Sequence, residues 1–106
     1  MSYDIDLIID TGGPEPARLT SRNQTSNVSC MWRHAGADLA EFDGRTAVEA
    51  LPALRIAIAA IEDDPGTYKA MNPANGWGDY DSCLEFLREL VKDFTAHPKA
   101  TVVVSR

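Results

Sequence analysis

The densest run of chemistry-bearing side chains is Met71-Asn72-Pro73-Ala74-Asn75-Gly76-Trp77-Gly78-Asp79-Tyr80-Asp81. It holds one of the chain's 2 tryptophans between two glycines, with asparagines before it and aspartates after it. Asp79 and Asp81 suggest a carboxylate pair for a metal or for acid–base work. Side chains two apart at a helix start diverge, however, and no histidine or third acid stands at a ligand-like offset, so the spacing argues for neither a metal nor a cofactor. A recognition surface is the second chemistry: Trp77 would be its anchor, rimmed by Asn72, Asn75, Asp79 and Tyr80, because large amphipathic rings dominate interface energetics. Architecture is the third. Asn75-Gly76 is a strong turn dipeptide that tolerates positive φ, Asp79 is a good N-cap, and Trp77 can close over the core with its indole N–H on a loop carbonyl. An inward Trp77 makes the loop a clasp for the fold, and an outward one makes it a docking site.

A second polar cluster, Asn23, Thr25, Ser26, Asn27 and Ser29, falls at another helix start, with Arg18, Arg22 and Arg33 nearby. Free amides there can hold an anion. The plainer account is capping by Thr25 or Ser26. If this cluster and the Asn72–Asp81 loop met in space, they would line one pocket for a small ligand or nucleotide, that of a binding domain or of an enzyme, with Arg22 or Arg33 supplying charge. Thr11-Gly12-Gly13-Pro14 lacks the lysine and further glycines of a phosphate loop and reads as a turn. His34 and His97 lie near helix C-termini, where positive charge is favoured. No serine or cysteine sits in an elbow motif beside a base, so nucleophilic catalysis has no support and the chain reads as non-enzymatic. Cys30 and Cys83 each fall within an apolar helical pattern and read as reduced core thiols.

Charge narrows the partners. The 106-residue chain carries a net charge of −6, concentrated in Glu62, Asp63, Asp64, Asp79, Asp81, Glu85, Glu89 and Asp93 against Lys69, Arg88 and Lys92. Such a half repels a phosphate backbone, which argues against nucleic-acid binding. It suits a basic protein partner, imitation of DNA towards a DNA-binding protein, or simple solubility. No apolar run approaches the roughly 20 residues of a membrane helix, and the first residues have no basic, apolar leader pattern, so the expected location is the cytosol. Nothing in the pattern sets an oligomeric state.

These side chains must be positioned by a small set of elements. Tyr3, Ile5, Leu7 and Ile9 alternate with Asp4, Asp6 and Ile8, the period of a half-buried strand. Asp10 to Pro16 breaks it, and Ala17 to Asn23 returns as a weaker strand suited to a sheet edge. Val28, Met31, Trp32 and Ala35 are spaced as one face of a short helix. Thr46-Ala47-Val48-Glu49 has the form of a capping box, opening a helix with Leu51, Leu54, Ile58 and Ile61. Pro52 requires either a kink or a start near Leu51. The run Ala57 to Ile61, apolar nearly all round, marks this as the most buried helix. Thr67 to Met71 forms a short turn with Tyr68 and Met71 facing inward. Tyr80, Cys83, Leu84, Leu87, Leu90, Val91 and Phe94 give the clearest helical stripe, ended by His97-Pro98. Ala100 to Ser105 is a β-branched strand. Strands at both ends with about three helices between them imply one α+β domain over residues 1–106, in which the terminal strands pair because neither satisfies its backbone alone.

Three stretches also resemble a known group. The opening Asp-Ile-Asp-Leu-Ile-Ile-Asp-Thr-Gly-Gly, the Thr25-Ser26-Asn27-Val28-Ser29-x-Met31-Trp32 segment and the Asn72–Tyr80 loop are similar to small uncharacterised proteins of actinobacteriophages and actinobacterial genomes. The likeness runs over nearly the whole chain, through His97-Pro98-x-x-Thr101-Val102, and Asn-Gly-Trp-Gly-Asp is its most distinctive part. That group has no established activity and lends no functional residues. The resemblance implies a phage or phage-derived protein of the cytosol, the host cytoplasm if phage-encoded. The missing catalytic geometry, the acidic half and the Trp77 loop point to an interaction module that binds a host or phage protein.

Overall fold

The computed structural model describes residues 2–76 and 78–106. Strand β1 (Ser2–Ile9) is central in a three-stranded antiparallel sheet of order β2-β1-β3, with β2 spanning Ala17–Thr25 and β3 spanning Thr101–Ser105. The terminal strands therefore pair, in register from Asp4 opposite Ser105 to Ile8 opposite Thr101. Tyr3, Ile5 and Leu7 are buried as the alternation requires. Ile9 departs from it at 40% exposure, because β3 stops pairing at Ile8 and leaves Ile9 beyond the core. A register shift between Leu7 and Ile8 skips Leu19 in the pairing. Such a bulge re-aims the extra residue, and Leu19 packs partly buried against the core.

Both edges of the sheet follow from local chemistry. β2, entered just after Pro16, is an edge strand. The outer side of β3 is met by the segment before the long second helix: Gly44 N–H donates to the Val102 carbonyl at 2.8 Å, Val102 N–H to the Arg45 carbonyl at 2.8 Å, and Val104 N–H to an Asp43 carboxylate oxygen at 2.8 Å.

Four α-helices lie between β2 and β3 among the described residues: α1 (Ser29–His34), α2 (Ala47–Asp63), α3 (Pro65–Lys69) and α4 (Tyr80–Ala96). A 3-10 turn, Ser26–Val28, leads into α1, and another spans Leu39–Phe42. Trp32 on α1 is fully buried, edge-on to Tyr3 (ring centroids 5.1 Å) and tilted on Phe86 (5.9 Å). Its indole N–H has no hydrogen-bond partner among the described residues. At the start of α2 the Glu49 carboxylate accepts from both the amide and the hydroxyl of Thr46, at 3.1 and 2.6 Å. Those bonds hold Glu49 below the usual glutamate range.

Three expectations need correction. Cys30 is exposed, and only Cys83 is a core thiol; Cys30 sits on the side of its helix opposite Val28, Met31, Trp32 and Ala35. Of the two alternatives at Pro52, a start near Leu51 is excluded, since α2 begins at Ala47 and contains the proline. The bond it cannot make is to the carbonyl of Val48, and both residues are exposed, so water can serve that carbonyl. Nor is α2 the most buried helix. It buries Ala47, Ala50, Leu51, Leu54, Ala57 and Ile61, whereas α4, of equal length, also buries Phe86 and Asp93 beside its predicted stripe. The side of α2 that meets α4, with α1 and α3, is covered, and apolar residues on its far side stay in water. No helix among the described residues is long and apolar enough to cross a membrane.

Candidate functional site

The loop between α3 and α4 is built by local polar bonds. Asn72 turns its side-chain oxygen onto the Tyr80 N–H at 2.8 Å, closing the loop across its base. Asp79 caps α4: its carboxylate accepts from the Ser82 N–H at 2.8 Å, and the Ser82 hydroxyl accepts from the Asp79 N–H at 2.9 Å. This is a reciprocal capping pair with serine in place of the usual glutamate, a spacing legible in Asp79-x-x-Ser82. Tyr80 is buried, and its hydroxyl donates to the Ile61 carbonyl at 3.2 Å. Lys69 holds its ammonium 5.2 Å from the Tyr80 ring centroid. Tyr80 thus fastens α4 to the end of α2, and its ring is not part of a surface patch.

At the tip, the Gly76 N–H meets the Pro73 carbonyl at 3.3 Å. Of the Asn75-Gly76 pair only the glycine takes positive φ, at +74°. Residues 74–76 are exposed. Gly78 has φ +83°, and a Cβ there would lie 2.6 Å from Thr25 Cγ2 and 3.0 Å from Val28 Cγ1. The two polar segments therefore do meet, at Gly78. Gln24 adds a bond from its side-chain amide to the Ser82 carbonyl at 3.0 Å. Where Gly78 meets Thr25 and Val28 the join is close-packed. The burial of Trp77, on which the clasp-or-dock question turned, lies outside the described residues.

Nothing matches by comparison. No family model, curated protein or solved structure corresponds to this chain.

The second cluster divides. Thr25 caps the 3-10 turn, accepting from the Asn27 N–H at 3.3 Å. Asn23 bridges to Asp4 across the β1–β2 pair at 2.6 Å. Arg22, opposite Ile5 in the register, projects from the helix-facing side of β2. Its guanidinium grips Asp93 with two bonds, of 2.8 and 3.0 Å, and also pairs with Glu89. The bond to Asp93 raises the Arg22 pKa against the opposing effect of desolvation. The Asp93 side chain is only 7% exposed, so this arginine already answers a buried carboxylate. Arg33 is the freer of the two named arginines: its guanidinium donates to the Tyr3 hydroxyl at 2.9 Å and helps line an open concavity of about 460 Å³ with Ser2, Tyr3, Ser26, Ser29 and Arg106. Asp79 and Asp81 do not join a metal-type group, and no cluster of three His, Cys, Asp or Glu residues is placed to hold a metal among the described residues. Burial pushes the Cys83 thiol up to about 12, which keeps it protonated and a poor nucleophile.

One surface escaped the sequence reading. Val48 is 52% exposed and Ile56 65%, both on the outward side of α2. The signal was present, since both fall on the opposite side of the helix from Leu54 and Ile61, but the apolar richness of the segment hid it.

Proposed function

We propose that this chain is a non-enzymatic protein-interaction module, phage-encoded and cytoplasmic, that binds a host or phage protein through the Asn72–Asp79 loop. The observation that carries this reading is a loop tied at its base and exposed at its tip. Asn72 and Asp79 bond to the first turn of α4, while residues 74–76 face solvent. A loop whose base is already bonded before contact loses less conformational entropy on binding. In this reading Asn75 and Trp77 make the contact, and Asn72, Asp79 and Tyr80 position it. The test is affinity capture from an actinobacterial lysate with the native protein, Asn75→Ala and Trp77→Ala, each checked for its thermal transition. A partner held by the native chain and lost by either folded variant is the expected result. Retention by both folded variants, or no partner at all, overturns it.

The concavity beside Arg33 favours a second reading, a domain that binds a small anionic ligand such as a nucleotide. Its volume lies within the roughly 300–1,000 Å³ of small-molecule sites, and Arg33 and Arg106 line it in an otherwise acidic chain. Calorimetric titration with inorganic phosphate and with nucleoside monophosphates decides it. Binding abolished by Arg33→Ala supports the reading, and heats no larger than dilution dispose of it.

A further inference from the structure

The outward face of α2 carries apolar side chains that nothing in the described fold covers. Val48, Pro52, Ile56 and Ala59 follow one another along this side, and all are exposed. Beside them Arg55, Ile58, Ala59, Glu62, Arg88 and Val91 line a groove of about 320 Å³ on the seam with α4. Exposed single apolar residues are ordinary, but a stripe with an adjoining groove is the usual mark of an interaction surface.

Charge at the two ends of the helix indicates what covers it. Arg45 precedes the Thr46 cap and so stands near the positive end of the helix dipole, while Asp63 occupies the last turn, at the negative end, where α2 has no basic residue. Each charge has the wrong sign for its own end. Neither forms a direct ion pair among the described residues, Arg45 acting on Glu49 only at longer range. Glu49, by contrast, is engaged by Thr46, and Glu62 by Arg88 at 3.0 Å. Arg45 and Asp63 are symmetrically placed about Leu54, as are Pro52 and Ile56, and Val48 and Ala60. A face with a basic residue at one end and an acidic one at the other is complementary to its own copy laid antiparallel.

We infer that the outward face of α2 is a self-association surface, on which a second copy of this chain packs its own α2 antiparallel about a two-fold axis near Leu54. In that arrangement Arg45 of each copy reaches Asp63 of the other. Ile56 lies over Pro52, and Val48 lies over the small side chains of Ala59 and Ala60, beside the α2–α4 groove. The isologous geometry of a two-fold dimer requires this kind of self-complementary patch. One helix face of this length buries less than about 1,000 Å² in total, below the standard size of a stable interface, so the dimer is weak. The surface is distinct from the Asn72–Asp79 loop, and the inference does not depend on that loop's partner.

Sedimentation equilibrium from about 10 μM to about 1 mM tests it, the range over which a weak dimer forms. The native chain is expected to shift from monomer to dimer across this range. Ile56→Asp should weaken association at least about tenfold with an unchanged thermal transition, since the side chain is exposed, a loss corresponding to about 1.4 kcal/mol. Arg45→Asp and Asp63→Arg should each weaken association, and the double variant should restore it, because it re-creates both ion pairs with reversed sign. A native chain that stays monomeric throughout overturns the inference. So does a dimer indifferent to Ile56→Asp, or a double variant no better than either single one. Trp77→Ala, which tests the loop, should leave the dimer intact, so the two readings fail separately.

Discussion

Gly78 shows how much one residue can settle. Its positive φ alone suits glycine, as does that of Gly76, but only Gly78 has neighbours where a Cβ would stand. Alanine at either position pays roughly 1–2 kcal/mol for the left-handed backbone. At Gly78 the overlap with Thr25 and Val28 adds roughly 1–3 kcal/mol, as over-packing does elsewhere. Urea unfolding should therefore show Gly78→Ala destabilised by about 2–5 kcal/mol and Gly76→Ala by about 1–2; equal losses would mean that the segments can part without strain. The sequence marked both glycines as turn residues and could not separate them, because Thr25 and Val28 lie far away along the chain. Asp79 was different. Its capping partner is three residues on, so its role was legible from local spacing, whereas the engagement of Asn72 with Tyr80 required the loop to close first.

Among the elements, the tie between β2 and α4 was the least foreseeable. Arg22 stands on the weaker of the strand patterns, and Asp93 belongs to the acidic half of the chain. The register places Arg22 on the helix side, and α4 presents Asp93 to it at low exposure. Removing one partner of such a pair leaves a charge without compensation. Arg22→Met is expected to cost about 2–3 kcal/mol, somewhat below the full buried-pair value because the arginine itself is partly exposed. Asp93→Asn in the same chain should recover at least half of that loss, because the orphaned charge is gone. A double variant as unstable as Arg22→Met alone would place the cost in lost packing instead. The α2 expectation failed for a related reason. An all-round apolar helix reads as central, yet in a two-layer fold a helix has a covered side and an open one, and composition does not say which residues fall on which.

At the scale of the molecule, extents of 47 × 26 × 18 Å describe an elongated body. A single sheet carries the helices, and β1 lies at the centre of it. The acidic surplus is interrupted where it could have imitated a DNA backbone: Arg88 and Lys92 line the same concavity on α4 as Asp81, Glu85 and Glu89. The class of the fold, the pairing of its ends, the helix stripes and the caps were determined by the sequence alone, since period, turn residues and capping spacing act over a few neighbours along the chain. The tertiary structure decided the rest: that Gly78 abuts Thr25 and Val28, that Arg22 serves Asp93, that Tyr80 is interior, and that Ile56 is left outside. Each depends on which distant segment lies opposite, and that is set by packing, where burial of one face of an element exposes the other.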